Sequence, residues 1–490
     1  MTSFIALQNG VSVSQSEIPV LEINDWRETI LDQCLKNDAR IVALFGAPNK
    51  NSGTRVYCLL GVDSRKSLLL GAVDFTPGKP GFESLTLPLP QAHLFERELH
   101  EDFRIIPQGH PWLKPLRKHS DYPFYQVEGE GIHEVAVGPV HAGIIEPGHF
   151  RFQCHGETVL HLEIRLGYQH RGVENMMVGA DVVRSPILAE SIAGDTVLGH
   201  GIAFCQAMEG LSENSVVTQR AHGLRGIALE LERLANHAGD LGALSNDIGF
   251  LPASAYFGRL RGEFLNMLME LSGNRFGRGF ARPGGVLFDL SSTLAKGFRS
   301  RLIQALREIK ELAELFFDTA SVLSRLESTG IIPPEIAKEL GLVGMAARAS
   351  HLSRDVRHDY PTGIYRIHPL SPVTIASGDV YARARVRSLE SKRSIEYILA
   401  LLEKLVPGKI LEPSAKLRPS FLAISLVEGW RGEIAHVVLT DEWGKVIRYK
   451  IVDPSFHNWA GLGYAMRGGQ ISDFPLCNKS FNLSYAGHDL

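Results

Sequence analysis

The residues of this chain that could do chemistry lie in short polar motifs between apolar segments. One motif, GIIEPGHF, carries Glu146 in a partly apolar turn. Such a setting can raise the pKa of a carboxyl group toward neutrality, which is what a proton relay needs. A solvated carboxylate or an ion pair with Arg151 fits the same residue equally well. Glu146 is therefore a candidate proton-transfer residue with a structural alternative.

A second motif, GYQHRGVE, places His170 beside Arg171. These two side chains could orient Glu174 or a partner protein. A purely structural hydrogen-bond cluster explains the same residues as well. The motif adds His170 and Arg171 to the candidate site residues, with both interpretations open.

A long segment, TQRAHGLRGIALELERLANHAGDLGALSND, has apolar residues at three- and four-residue steps and predicts a helix. Arg233, His237 and Asp240 are spaced by four and three residues, so they share one face of that helix. This row of charge could be a proton path or a salt-bridge ladder. The four-residue spacing recurs in GDVYARARVR, at Asp379, Arg383 and Arg387.

The stretch AESIAGDTVLGHG reads as a polar, glycine-broken turn between two helical segments. Its small residues Ala193, Gly194 and Thr196 can neither hold a metal ion nor attack a substrate. The chain has five cysteines without a Cys-x-x-Cys pair, which argues against a disulfide framework and against a zinc or iron–sulfur site. They are Cys34, Cys58, Cys154, Cys205 and Cys477.

The charge and hydropathy of the chain bound its partners. The 51 basic and 54 acidic residues leave a net charge of −3, with no basic excess for binding nucleic acid. The N-terminal stretch shows no signal peptide, and no apolar run approaches the ~20 residues that span a bilayer. Any connection to a membrane is therefore expected to run through partner proteins.

Residues 1–125 predict a small α/β domain. INDWRETILDQCLKND has helical spacing, and three β-like runs follow it: ARIVALFGA, TRVYCLLGVD and KSLLLGAVDF. QAHLFERELHEDF predicts a second helix. The proline-rich piece RIIPQGHPWLKPLRKHSDYPF then reads as an extended, irregular arm.

Residues 126–490 predict a mainly helical domain with peripheral β-hairpins, so the fold class is α+β. A hairpin-like start after Gly131 precedes the helical part, and FLAISLVEGWRGEIAHVVLTDE and KVIRYKIVDPS return to strands. The helices are predicted at 181–212, 216–245, 254–272, 296–327, 333–349 and 377–406.

Several of these segments together resemble one family, the redox subunits shared by complex I (NADH-quinone oxidoreductase) and the group 4 membrane-bound nickel–iron hydrogenases. FERELHEDFRIIPQGHPWLKPL is similar to the smaller peripheral-arm subunit of complex I. GPVHAGIIEPGHFRFQCHGE, RLGYQHRGVE, ALELERLANHAGDLGALSNDIG, RPGGV and GDVYARARVRSLESKRSIEYI resemble the large subunit, in the same order. A fused small-plus-large chain resembles the formate-hydrogenlyase type and implies a hydrogenase-large-subunit-like fold for the second domain.

The resemblance implies that the metal ligands of such hydrogenases are missing. Their active metals are held by two Cys-x-x-Cys pairs, because thiolates suit soft metals. The early pair falls on Ala193 and Thr196, and the late pair, in DPSFHN, on Ser455 and Asn458. We therefore expect no nickel–iron site and no metal in this chain. Phe456 and Trp459 would add bulk to the remaining cavity.

Complex I implies a second use for the same cavity, because there it holds a quinone headgroup through a Tyr and a His. The Tyr position falls near Gly194, and His141 in GPVH matches one of two histidines in that motif, so the pair is not carried over intact. A quinone would need other donors, for which the candidates are His149, His155, Tyr168, His457 and Tyr464. Glu146 matches a glutamate that passes protons in the hydrogenases.

Two functions follow from the resemblance. In the first, the chain is a redox and coupling subunit of a membrane-associated oxidoreductase. It would receive electrons from a small iron–sulfur subunit and pass them to a quinone or another acceptor, coupled to ion translocation by membrane-embedded antiporter-like subunits. In the second, the chain is a non-catalytic scaffold that keeps the fold and the proton path. Either way we expect a peripheral position on the cytoplasmic face of the membrane and no cofactor bound by this chain alone.

Overall fold

The computed structural model describes residues 4–49, 53–76, 81–118, 122–141, 145–181, 184–413 and 416–490. The N-terminal part contains a sheet in the order β1-β6-β5-β4, with β3 pairing parallel to β6. Its elements are β1 (Ile5–Leu7), β2 (Ser12–Ser14), β3 (Val20–Leu21), α1 (Ile23–Lys36), β4 (Arg40–Pro48), β5 (Thr54–Val62), β6 (Ser67–Phe75), β7 (Gly81–Glu83), α2 (His93–Phe103) and β8 (Ile106–Gln108).

The two helices and three strands that the sequence predicts for the N-terminal part form. The short strands β1, β2, β3 and β7 are not predicted, and β8 lies in the piece predicted to be irregular, where it pairs with β7. α1 buries Trp26, Ile30 and Cys34, which are four residues apart and so lie on one helical face. The three β-like runs become the antiparallel strands β4, β5 and β6. The predicted arm packs against α2, where Arg97 donates to the carbonyl groups of Lys114 and Pro115. Residues 119–121 of the arm lie outside the described part of the chain.

The predicted hairpin is part of a three-stranded sheet. β9 (Ile132–Val137), β10 (His149–His155) and β11 (Thr158–Arg165) form an antiparallel sheet in the order β11-β10-β9. Residues 142–144, between β9 and β10, are outside the described part. This sheet leads the chain from the arm into the helical region.

The helical region follows the predicted pattern with three breaks. Three of the predicted helices are each interrupted by a short turn and so form two helices. Range 181–212 contains α4 and α5, range 296–327 contains α8 and α9, and range 333–349 contains α10 and α11. The elements are α3 (Val173–Met177), α4 (Arg184–Ala189), α5 (Val197–Leu211), α6 (Gln219–Asp247), α7 (Leu251–Ser272), β12 (Ala281–Arg282), β13 (Gly285–Val286), α8 (Ser292–Phe317), α9 (Ala320–Leu326), α10 (Pro334–Glu339), α11 (Gly344–Ala349), α12 (Val356–Asp359), α13 (Ile364–Ile367) and α14 (Val380–Lys404).

The C-terminal strands form a sheet that takes in a strand from the start of the chain. Its order is β16-β15-β14-β2, with Leu422 opposite Val13. The remaining elements are β14 (Phe421–Glu428), β15 (Glu433–Thr440), β16 (Val446–Val452), α15 (Pro454–Ala465), α16 (Phe474–Phe481) and α17 (Tyr485–His488).

Two large hydrophobic cores, and a third small cluster of four buried residues between α11 and α14, result from this arrangement in the described residues. One is built mainly by the helices, and the other lies between the N-terminal sheet and the C-terminal sheet. Arg40 of β4 and Glu433 of β15 join the two sheets by two buried hydrogen bonds of 2.6 and 2.7 Å. The α+β class is confirmed, and the domain boundary at residue 125 stays a prediction. Within the described ranges, none of the helices has both the length and the apolar character that crossing a membrane takes.

Candidate functional site

The two segments that the resemblance assigns to metal ligands, residues 193–196 and 455–458, are neighbours in the fold. The first lies in the turn between α4 and α5, and the second lies in the first turns of α15. Nε2 of His200 on α5 donates a 3.0 Å hydrogen bond to Oδ2 of the Asp453 carboxylate. Asp453 is also the residue that caps the N-terminus of α15. A buried contact therefore connects the two segments.

At three of the four ligand positions, the side chain contacts only other parts of the protein or is buried in it. Ser455 Oγ accepts a hydrogen bond from the backbone N–H of Ser484 at 2.8 Å. The Asn458 amide accepts from the backbone N–H of Val343 at 3.0 Å and donates to its carbonyl at 3.1 Å. Ala193 is buried and offers only a methyl group. Their polar atoms thus have protein partners.

The fourth position, Thr196, belongs to a charged contact centred on Arg431. The Arg431 guanidinium donates to both carboxylate oxygens of Asp195, at 2.6 and 2.8 Å, and to Thr196 Oγ1 at 3.1 Å. It also stacks on the Trp430 ring, 3.9 Å from the centroid. Burial alone would raise the pKa of Asp195, but the neighbouring guanidinium holds that pKa below its usual value. We call Asp195, Thr196, Arg431, Ser455 and Asn458 the polar joint.

The polar joint does not fit a nickel–iron group. Hydroxyl, amide and methyl groups replace the four thiolates, and soft metals require thiolate ligands. In the part of the chain that the structure describes, no group of three or more His, Cys, Asp or Glu side chains could hold a metal ion. Gly194 is exposed. Because glycine has no side chain, this position offers no side-chain donor for a hydrogen bond to a quinone.

Aromatic side chains pack around the joint. The Phe456 ring lies 5.0 Å from the Phe95 ring and 5.3 Å from the His488 ring. Trp459 lies 5.0 Å from Tyr485 in an edge contact. Both Phe456 and Trp459 are buried. The bulk that the sequence predicts for this place is thus part of the hydrophobic packing.

Two glycines bring the Arg431 turn close to α11. A Cβ at Gly344, whose φ is +63°, would lie 2.1 Å from the Gly432 Cα and 2.3 Å from the Arg431 carbonyl oxygen. No L-residue with a side chain fits there without moving the backbone. This close approach fixes the turn that presents Arg431 to Asp195.

Glu146 lies beside the C-terminal helix. Its Oε2 accepts hydrogen bonds from the backbone N–H of Tyr485 at 3.1 Å and of Ala486 at 3.5 Å. Burial raises its pKa. The proposed partner Arg151 pairs instead with Glu134 at 3.3 Å, so the ion pair between Glu146 and Arg151 is not formed. The role of Glu146 in proton transfer stays a prediction.

The candidate quinone donors near the hairpin are turned toward the backbone. His141 Nε2 lies 2.9 Å from the Gly148 carbonyl oxygen, and His149 Nδ1 lies 3.2 Å from that of Gly138. His457 is buried on α15, and burial lowers its pKa to about 3. The two hairpin histidines thus place a ring nitrogen against a backbone carbonyl group of the protein itself.

His170 and Arg171 do not orient Glu174. His170 Nδ1 lies 3.1 Å from the Asp489 carbonyl oxygen, and Arg171 donates to the carbonyl groups of Ser191 and Ile192 at 2.8 and 2.7 Å. Glu174 pairs elsewhere, with Arg448 at 2.8 Å and Lys450 at 3.0 Å. The structural cluster is therefore the interpretation that these contacts match, and Arg171 ties down the turn before α5.

The row of charge on α6 is not a ladder along the helix, because its members reach other elements. Arg233 donates to the carbonyl groups of Glu428 and Gly429 at the end of β14, as well as to Glu230 on α6 itself. His237 Nε2 lies 2.9 Å from Glu390 on α14. The third member, Asp240, binds Arg387 on α14 at 2.8 Å. In the second row, Asp379 caps α14 and Arg383 binds Ser480 Oγ.

A buried chain of hydrogen bonds, which the sequence pattern does not predict, lies next to the polar joint. His200 Nδ1 lies 3.1 Å from His436 Nε2, and His436 Nδ1 lies 2.8 Å from the Tyr449 hydroxyl. With Asp453, this makes an Asp–His–His–Tyr row that crosses from α15 to β15 and β16. Burial lowers the pKa of His436 well below its usual value. In the sequence, the sign of this chain is His436, a single histidine in the apolar run IAHVVL.

Comparisons with known proteins agree with this architecture. Residues 25–127 match the family model for the respiratory-chain NADH dehydrogenase 30 kDa subunit. Residues 247–420 and 417–489 match the model for the 49 kDa subunit. A small-subunit segment thus precedes a large-subunit segment in one chain.

The curated relatives give the family. NADH-quinone oxidoreductase subunit 4 of Thermus thermophilus is 30% identical over 364 residues, which cover 69% of this chain and 89% of that protein. Formate hydrogenlyase subunit 5 of Escherichia coli is 29% identical over 503 residues, covering 96% of this chain and 88% of the relative. The chain belongs to the family of the complex I 49 kDa subunit and the related hydrogenase large subunits.

A solved structure shows the same fold. A chain of the membrane-bound sulfane sulfur reductase, an archaeal respiratory membrane complex, superposes with a TM-score of 0.69. The match covers 75% of this chain and all of that chain, at 23% sequence identity.

Proposed function

We propose that the protein is a peripheral coupling subunit of a membrane-bound respiratory complex, and that its polar joint is structural and not a redox centre. Family membership and the shared fold support the first part, because the relatives carry the names of subunits of respiratory and hydrogenase complexes. The second part depends on the contacts of the joint.

One observation carries the proposal. The side chains at three ligand positions form hydrogen bonds within the protein. Ser455 binds Ser484, Asn458 binds Val343, and Thr196 binds Arg431. An acceptor that entered here would have to displace these buried hydrogen bonds, and each buried group left without a partner costs about 1–3 kcal/mol. The arrangement therefore favours the scaffold and coupling role over electron transfer to a quinone at this place.

The proposed partners are those that the family resemblance implies. They are a small iron–sulfur subunit and membrane-embedded antiporter-like subunits, with this chain held on the cytoplasmic face. Val140 and Ile145 near the β9–β10 connection support a protein contact, since 74% and 53% of these apolar residues is exposed. This surface lies next to Glu146, the candidate proton-transfer residue.

Purification of the complex through a tag on this chain tests the proposal. We expect iron–sulfur and membrane-embedded proteins to copurify, with nickel far below one atom per chain. A photoreactive quinone analogue should leave the joint residues unlabelled. One nickel per chain, or specific quinone labelling of residues 193–196 or 455–458, would overturn the structural role of the joint.

A variant of the joint tests coupling itself. Arg431→Lys keeps the positive charge but loses the two-pronged contact with Asp195. We expect the complex to assemble with the same subunits while its ion transport per turnover falls several-fold. Arg299→Lys is the matched control, because Arg299 pairs with Glu403 in an exposed contact. Equal transport in both variants would contradict a coupling role for the joint.

A further inference from the structure

A cluster of charged side chains is buried where α6, α14, β14 and the segment around α12 meet. None of its members lies at the surface, and they come from four separate parts of the sequence. The cluster, called here the core charge cluster, consists of Glu230, Arg233, His237, Arg348, Asp355, Arg357, Glu390 and Glu428.

Direct contacts connect the acidic half of the cluster to Arg348. Its guanidinium donates to Glu390 at 2.8 Å and to Glu428 at 2.6 Å, and it lies 3.6 Å from Asp355. One cation thus serves three carboxylates. Glu390 also contacts His237 at 2.9 Å.

The other half is organised by Arg357. It donates to Asp355 at 2.6 Å and to Glu230 at 3.0 Å, and Arg233 donates to Glu230 at 3.1 Å. The hydroxyl groups of Ser394 and Tyr365 donate to the same glutamate. Glu230 is therefore surrounded by donors, which hold its pKa at about 2 against the effect of burial.

The charges of the cluster do not balance. Four carboxylates face three guanidinium groups and one imidazole, which leaves one negative charge if the imidazole is neutral. An uncompensated charge in a protein interior is costly, and the usual remedy is that a group takes up a proton. The imbalance therefore calls for one bound proton.

Neighbouring charges do not supply the missing cation. Arg387, which faces His237, is paired with Asp240, and Lys479 lies 3.4 Å from Asp240. The Asp355 backbone N–H binds Asp359, a further carboxyl, and burial raises the pKa of Asp359 to about 7. The adjoining groups beyond it are Asp63, Arg40, Arg354 and Glu433, which contact one another.

The proton is best placed on Glu428. Among the described residues, Arg348 is the only guanidinium group within hydrogen-bonding distance of the Glu428 carboxyl group, and that cation is shared with Glu390. The other oxygen of Glu428 accepts from the Val356 backbone N–H at 2.9 Å. Burial raises the pKa of Glu428 to about 7. By contrast, His237 Nδ1 is buried with no hydrogen-bond partner among the described residues, and burial lowers the pKa of this ring.

A cavity borders Glu428. It has a volume of about 30 Å³, and Glu428 and Arg357 are among the residues that line it. Gln206, His222 and Thr362 line it as well and are partly exposed. This volume has room for about two water molecules, which could accept a proton from the carboxyl group.

We propose that the core charge cluster is a proton-binding site in which Glu428 takes up one proton through the water-accessible cavity. The proton comes from solvent and forms an O–H bond on the carboxyl group, the cluster charge changes from −1 to 0, and no electron is transferred. Uptake weakens the contact between Glu428 on β14 and Arg348 on α11. The site belongs to the chain itself and does not depend on the proposed role in a complex.

Infrared spectroscopy of the purified full chain, titrated between about pH 5 and about pH 9, tests this proposal. We expect the carbonyl band of buried neutral carboxylic acids to decrease as the pH rises, with separate contributions from Glu428, Asp359 and Glu232, whose pKa values are all raised by burial. Glu428→Gln should reduce the signal by one proton per chain. The double variant Glu232→Gln/Asp359→Asn, which changes the two buried carboxyl groups outside the cluster, should keep the contribution of Glu428.

Two outcomes would overturn the site. One is an unreduced band in a folded Glu428→Gln protein, and the other is the absence of any remaining band in the double variant Glu232→Gln/Asp359→Asn. Glu428→Asp covers the case in which Glu428→Gln does not fold, because it keeps an acid but moves it by one methylene. The band should then shift in frequency or midpoint, and an identical band would contradict the proposal.

Discussion

Asn458 shows how one side chain can close a position that holds a metal ligand in the hydrogenases which the sequence resembles. Its amide matches the donor and acceptor of a single backbone residue, Val343. The sequence predicts the missing thiolate correctly, since that needs only the motif. The partner lies 115 residues away, so no local pattern could predict it.

Replacing Asn458 should test whether this pairing stabilises the fold. In Asn458→Ala, the N–H and C=O groups of Val343 lose their partner in a buried place, so we expect a loss of about 2–4 kcal/mol in the free energy of unfolding. Urea denaturation measures the change. Asn246→Ala is the control, because Asn246 is exposed near the end of α6 and should change stability little. Equal stability of both variants would contradict the role of the pairing.

At the level of elements, the helices with strong apolar periodicity are predicted well and their breaks are not. α6, α7 and α14 lie within a few residues of the predicted ranges. The break between α10 and α11 depends on Gly341 and Gly344, both at positive φ, and on the approach of Gly432 from a distant turn. Such a tertiary contact leaves no periodic signal. The partners of the row of charge on α6 are hidden from the sequence for the same reason, because they lie on α14 and at the end of β14.

The contact between α6 and its neighbours should make stability depend on acid pH. The pKa of Glu230 is about 2 in the folded chain and about 4.5 when unfolded. Its contribution, about 3 kcal/mol, is therefore present above pH 4.5 and lost as the pH falls from 4.5 toward 2. Glu230→Gln should be less stable at neutral pH and show a flatter acid decline in urea denaturation at several pH values. Glu335→Gln, at an exposed site on α10, should follow the unchanged protein, and parallel curves for Glu230→Gln would refute this account.

At the scale of the whole molecule, the two predicted domains share a core. Leu422 and Leu439 of the C-terminal sheet and Phe456 of α15 pack in the same cluster as the N-terminal sheet. β2 completes the C-terminal sheet beside β14. The sequence predicts the strands on both sides correctly, but a three-residue strand such as β2 carries too little pattern to reveal its pairing.

Separating the two predicted domains tests how far they depend on each other. We expect residues 1–125 expressed alone to lack cooperative unfolding and to bind a dye specific for apolar surface, because the fragment loses the cover of Leu422, Leu439 and Phe456. Co-expression with residues 126–490 should restore a stable complex of the two pieces. A sharp, cooperative melting transition of the isolated fragment would show that the boundary separates independent domains.

The pairing of β2 with β14 also has a consequence for synthesis. Asn9, just before β2, binds the backbone of Leu426, a residue 417 positions later. The segment around β2 must therefore wait for residues more than 400 positions later to be translated before it finds its place. During that interval its unpaired edge is open to wrong associations, and a chaperone that holds this nascent segment would raise the yield of correctly assembled protein.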